Sequence, residues 1–227
     1  MANIKSAEKV AALRPKVLLA AAQLFLKQGY SATTVKQIAA RSGVSANAIF
    51  YEMKNKEEIL AELVKYVLEG QFSATAKLLD GVTEDKILFY AAETVLQLHM
   101  AESGEQIRDL YAVAYSMPKT SSIIQHTIAC KLQGFFSEHL PDLETKDFYE
   151  LEIASGSIMR GFMTRPCDMY FTMERKVKRF LETTFLIYRI PRYKLEEAIR
   201  FVSGFDFERI AKQTIDTMLT FLEEKTA

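Results

Sequence analysis

Ser45, Ala46, Asn47, Phe50 and Tyr51 place short polar groups and aromatics within one turn or two of each other. On a helix they would share an exposed face suited to base edges and to the sugar-phosphate backbone. Other chemistry finds little support. His99, His126 and His139 lie far apart, and none stands in a His-x-x-x-His or Glu-x-x-His spacing that would ligate a metal. Cys130 and Cys167 form no metal or redox spacing. There is no Gly-x-Ser-x-Gly, phosphate loop or dinucleotide fingerprint. The expectation is therefore no enzyme, no catalytic residue, no metal and no cofactor, with Glu and Asp serving chiefly as helix-surface charges.

The charge distribution sharpens this reading. The 227 residues carry a formal net charge of zero. Residues 1–56 hold nine cations and only Glu8 and Glu52 as anions, a net of +7, so residues 57–227 carry −7. A basic head on an acidic body points to a polyanion partner for the head, although an excess of solvated lysines on a helix face gives the same count. The longest apolar stretch, Val17 to Leu26, is broken by Gln23 and is short of the roughly 20 residues a membrane span needs. A soluble protein in a reducing cytoplasm is expected.

Nine Gly and five Pro among 227 residues are few for a sheet-rich chain. Apolar residues from Val10 to Phe25 recur at three- and four-residue spacing, which predicts a first helix ending at Gly29. Thr34 and Gln37 form a capping box opening a short second helix that Gly43 ends. Ser45 caps a third, Ala46 to about Met53. Asn55 and Glu58 read as another capping box, opening a long helix to about Leu79. Beyond it the spacing predicts helices over 83–102, 105–116, 119–140, 146–164, 172–190, 193–203 and 206–224, with Pro118, Pro141, Pro166 and Pro191 at the joints. The fold expected is all-α: a three-helix head at 1–56 with a helix-turn-helix motif near 34–53, then a larger helical body at 57–227. In the head, Ala39, Val44 and Ile49 should pack against Leu18, Ala21 and Phe25.

The motif resembles the TetR family of transcriptional regulators. The likeness runs from Val17 to Leu60 through Ala21-Ala22-Gln23-Leu24-Phe25, Gly29-Tyr30, Thr33-Thr34-Val35, Ile38-Ala39, Gly43-Val44-Ser45 and Lys56-Glu57. It implies a homodimer on a palindromic double-stranded DNA operator, with a body that binds a small effector and forms the dimer interface. It further implies that Thr34, Lys36 and Lys56 contact phosphates, and that Arg41, Ser45, Ala46, Asn47 and Tyr51 face bases or adjacent backbone. Phe50 stands where that family usually has Tyr, and Glu52 where His or another aromatic is common. Either Glu52 points away, toward Lys54 or Lys56, or the head binds more weakly and Tyr51 supplies the missing hydroxyl. The basic arm at Lys5 and Lys9 either tracks a phosphate or is a frayed helix turn.

In the body, Met and aromatic residues crowd together. Phe135, Met159, Phe162, Met163, Tyr170 and Phe180 are the candidates for an adaptable apolar effector pocket, against the alternative that such a stripe is core. For the dimer, the candidates are the helices at 146–164, where Ala154, Ser155, Gly156 and Ser157 would permit close approach, and 172–190, with the last helix as an alternative. The function expected is a ligand-responsive regulator, a repressor released by a hydrophobic effector. The competing reading is a ligand-sequestering or interaction module with a vestigial head.

Overall fold

The structure, a computed structural model, describes the backbone of residues 2–226 and the side chains of residues 13–226. Among the described residues there are eleven helices and no strand: α1 (Ala2–Gln28), α2 (Val35–Ser42), α3 (Ala46–Met53), α4 (Lys56–Leu79), α5 (Lys86–Glu102), α6 (Glu105–Ala114), α7 (Pro118–Phe136), α8 (Thr145–Thr164), α9 (Met173–Ile187), α10 (Arg192–Val202) and α11 (Phe207–Glu224). None is long and apolar enough to cross a membrane. The side chains of Lys5, Lys9 and Val10 lie outside the described residues.

The head folds on the local signals. Gly29 ends α1 at φ +81° and Gly43 ends α2 at φ +68°, backbone angles that favour a residue without Cβ. The Thr34 box is complete: its hydroxyl accepts the Gln37 N–H at 3.2 Å, and the Gln37 Oε1 accepts the Thr34 N–H at 2.8 Å. Ser45 caps α3 by accepting from the Ala48 N–H. Asn55 caps α4 through Glu58 N–H at 2.9 Å, but the reciprocal half of that box is missing. The Glu58 carboxylate is drawn instead to Lys119 at the start of α7.

Other boundaries shift by a few residues for physical reasons. Asp85 accepts the N–H groups of Ile87 and Leu88, so α5 starts at Lys86 rather than Thr83. Arg189 at φ +54° stops continuation beyond α9. Pro15 sits inside α1, where its missing N–H deprives the preceding turn of one hydrogen bond.

α5 is the axis of the body. It packs on α4, α6, α7, α8, α9, α10 and α11, and Leu88 and the run from Tyr90 to Leu98 are buried. A helix surrounded in this way needs apolar residues on all faces, and Leu88, Ala91, Ala92, Val95, Leu96 and Leu98 provide them. The head is not joined to the body by α4 alone, because α1 also packs on α6 and α11. The core of Val17, Phe25, Ile38 and Ile49 continues through Leu60 and Leu63 to Ala114, Ile124 and Leu222.

Candidate nucleic-acid interface and body cavity

α3 is fixed from below by Ile49 and Met53, both buried, with Ala39 and Val44 packed beside them against the α1 core. The same helix turns Ser45, Asn47, Phe50 and Tyr51 outward, Tyr51 at 85% exposure, while Ala46 is half-buried. Packing within this chain leaves much of both aromatic rings, Phe50 and Tyr51, open to a partner. Thr34 and Lys36 are exposed at the start of α2. Arg41 is exposed at its end, its Nε donating to Gln23 Oε1 at 2.7 Å, which aims the guanidinium along the α1–α2 edge. Glu52 is half-buried and forms no ion pair with either Lys54 or Lys56.

Lys56 is placed differently from the other cations. Its Nζ donates to the backbone oxygens of Tyr30 and Thr33, both at 2.8 Å, and lies 4.0 Å above the Tyr30 ring centre. Burial lowers its pKa from the ordinary lysine range. Two of its three N–H bonds are thus committed to holding the α1–α2 turn against the first turn of α4.

Two adjoining chambers, both partly open, lie in the body and where it meets the head. The larger, about 110 Å³, lies where the head meets the body: Ala22 and Leu26 of α1 and Leu60 and Leu63 of α4 form one wall, and Leu110, Tyr111, Met218 and Leu219 form the other. The smaller, about 30 Å³, lies deeper among Phe72, Tyr90, Glu93, Phe135, Glu152, Met159 and Phe180. Gln97 and Tyr115 line both. Of the six residues expected at an effector pocket, Phe135, Met159 and Phe180 line the smaller chamber. Met163 is wholly buried in the core, and Phe162 packs on Phe171 and Phe180. Neither lines either chamber. Tyr170 is 79% exposed and outside both, because Asp168 accepts the N–H groups of Tyr170 and Phe171 and folds the α8–α9 loop so that Phe171 turns inward instead.

The interior is more polar than a surface-charge reading of Glu allows. Glu93 and Glu152 are both buried. Gln97 donates to Glu93 at 2.7 Å; Ser155 donates to Glu152 at 2.8 Å and accepts from the Tyr188 hydroxyl at 2.6 Å. Desolvation pushes Glu93 up to about 7 and Glu152 up to about 8, the neighbouring Glu93 adding to the latter. A signal was present in the sequence: Glu93 is the one charge in the apolar run from Ile87 to Met100 apart from His99. Glu152 gave none, since α8 also carries exposed charges on its other faces. Ser155 and Gly156, expected at a subunit interface, turn inward, and a Cβ on Gly156 would come 2.7 Å from Glu152 Oε1. Among the described residues no group of His, Cys, Asp and Glu could hold a metal ion.

Residues 17–63 match the family model described as bacterial regulatory proteins, tetR family. The chain is 32% identical over 73 residues to the HTH-type transcriptional repressor KstR2 of Mycolicibacterium smegmatis, covering 32% of this chain and 36% of that one. It is 32% identical over 114 residues to the uncharacterized HTH-type transcriptional regulator YvkB of Bacillus subtilis, covering 49% and 56%. The chain thus spans between about a third and just over half of the length of these curated relatives. Among solved structures, RolR in complex with resorcinol superposes with a TM-score of 0.65 at 12% identity, over 87% of this chain and 96% of that one. SmeT, the repressor of the Stenotrophomonas maltophilia multidrug efflux pump SmeDEF, gives 0.54 at 18% identity, over 76% and 88%. At these identities the superpositions show a shared fold.

Proposed function

From a chain that belongs to the TetR family of bacterial regulatory proteins, we propose a DNA-binding transcriptional repressor that acts as a homodimer on a palindromic operator and is released by a small effector in the body. The observation that carries it is the outward face of α3, where Asn47, Phe50 and Tyr51 stand unpacked on a head of net charge +7. Lys36 and Arg41 border that face and supply phosphate contacts, with Thr34, Ser45 and Ala46 at the two helix starts and Lys56 beside them. Phe50 contributes a ring without a hydroxyl, and the exposed Tyr51 supplies one.

The larger chamber supports the effector reading. Its wall includes α1 and α4, so an occupant touches the helices that carry the head and needs no relay. A ligand that binds one head spacing better than the other shifts the population by its differential affinity. Two subunits would pair through α8 and α9, whose outer faces carry Ile153 and Leu186, the latter 77% exposed.

The test is capture of short genomic fragments followed by affinity measured across a salt series. Enrichment of a palindrome, with affinity falling steeply with salt, is expected. Lys36→Ala should lower affinity on all sequences and reduce the salt slope by about one. Capture of no fragment at low salt overturns the reading in favour of a sequestering module.

A further inference from the structure

The smaller chamber is walled by two carboxyl groups that the protein does not neutralise. The cation acting on Glu93 is Lys131, which is exposed with its Nζ 4.9 Å above the Phe72 ring, and the charge acting on Glu152 is Glu93 itself. Each carboxyl takes one protein hydrogen bond, from Gln97 and from Ser155, which leaves its second oxygen without a donor among the described residues. Buried acceptors are seldom left unpaired, and each costs free energy until something donates to it.

We infer that the effector is a primary amine with an apolar tail, bound with its ammonium between Glu93 and Glu152 and its tail in the larger chamber against α1 and α4. This rests on the proposed effector-released regulator and names the ligand class for it. Three features select this chemistry. The carboxyls supply acceptors and the negative charge. The smaller chamber, about 30 Å³ against about 110 Å³, is the place for the head group rather than the tail, and an –NH3+ group brings N–H donors to the second carboxyl oxygens whereas a trimethylammonium brings none. The rings of Tyr90, Phe135 and Phe180 beside it offer faces to a desolvated cation. The tail meets a wall of Leu60, Leu63, Leu110, Met218 and Leu219. Gly156 belongs to the same device, because the absence of a Cβ is what lets Glu152 fold back over its own helix.

The charged and titratable groups facing the pair are Lys131, Tyr90, Tyr111, Tyr115 and Tyr188. Both carboxyls are partly protonated near neutrality when the chamber is empty, since burial disfavours their ionised forms. An ammonium would draw them into the charged state, so binding should release protons to solvent.

Calorimetry on the full chain without DNA tests this, with ω-phenylalkylamines of two to four methylenes, the alcohols of the same lengths and the N,N,N-trimethylated amines as probes. Saturable binding of at least one amine is expected, with heats that change with the buffer's ionisation enthalpy in the sense of proton release. The matched alcohol and the trimethylated amine should bind about tenfold or more weakly, and Glu152→Gln and Glu93→Gln should each weaken the amine by a similar factor. Equal binding of the alcohol, equal binding of the trimethylated amine, or binding of no amine overturns the inference. Proton release is read on the unsubstituted protein, so a variant that fails to fold does not remove the test. Fragment capture without amine reads the head separately: amine binding with no DNA capture would sink the regulator and leave the amine site standing.

Discussion

The Lys56 ammonium sits over the Tyr30 ring and donates to the Tyr30 backbone oxygen, so one side chain ties the end of α1 to the start of α4. A lysine at the edge of a basic head reads as a phosphate contact, and here most of its donors are spent inside the head. Lys56→Met keeps the stem and removes the charge. It should destabilise the chain by about 1–2 kcal/mol, the range for hydrogen bonds from a partly exposed charged donor. DNA affinity should fall, but with a smaller change in salt slope than Lys36→Ala produces. Chemical denaturation and a salt titration check the two halves. A reduction in slope as large as that of Lys36→Ala, with unchanged stability, would return Lys56 to a purely phosphate role.

Thr75 on α4 is fully buried, and its hydroxyl has no hydrogen-bond partner. Valine has nearly the same shape and nothing to satisfy. Thr75→Val should raise the unfolding free energy by about 1 kcal/mol, the cost of an unpaired buried polar group removed. Thermal melts of the two proteins, with the free chain and no probe present, provide the comparison. A lower melting temperature would mean that the hydroxyl has a partner such as an enclosed water.

The helices were legible because their punctuation is local: Gly29, Gly43, Thr34, Ser45 and Asn55 each act within three or four residues of themselves. The face of α3 was legible for the same reason, since Ile49 and Met53 on one side fix what lies opposite. The chambers were not. Phe135, Met159 and Phe180, singled out by apolar bulk, line the smaller chamber, but the same property singled out Met163, which is core, and Tyr170, which is in solvent. The larger chamber depends on α1 packing against α6 and α11, pairings between residues some 90 and some 200 apart, and its wall uses ordinary leucines that carry no mark of it. Glu152 was invisible because its burial depends on the helices that α8 packs on, α5, α6, α7 and α9, and not on the charge pattern along α8.

Glu93 and Glu152 give the protein a pH dependence opposite in sign to that of salt-bridged carboxylates. Their folded-state pKa values, about 7 and about 8, lie above the ordinary glutamate range because burial disfavours the charge. The unfolded chain loses those protons first. The stability they allow is therefore full below the ordinary glutamate pKa and declines as pH rises, until both are ionised in the folded state near pH 8. The melting temperature of the ligand-free protein should fall between about pH 5 and pH 8 by several degrees. Glu152→Gln should flatten that fall and melt higher at pH 8. Parallel curves for the two proteins would show that Glu152 is already ionised or already paired.

The Glu58–Lys119 ion pair joins the first turn of α4 to the first turn of α7, and the Lys119 hydrogen bond holds the Glu58 carboxyl below its ordinary range. Both groups are partly exposed, so the pair contributes at most about 1 kcal/mol to stability. Under the proposed effector-released regulator its position would give it a different weight: movement of the head and the start of α4 relative to α7 would stretch the pair, which would then favour one head position over another. Lys119→Ala should leave the melting temperature nearly unchanged while altering the factor by which an effector changes DNA affinity and, equally, the factor by which DNA changes effector affinity. The measurement is a four-cornered cycle: DNA affinity with and without a bound amine, in the parent and in the variant. Because Glu58 is held in its charged form, the parent's coupling should persist above the ordinary glutamate pKa and fade as pH drops through the lowered one, whereas the variant's should not respond. An identical coupling factor in both proteins across that range would mean that α7 does not resist head movement, and that control passes through α1 and α4 alone.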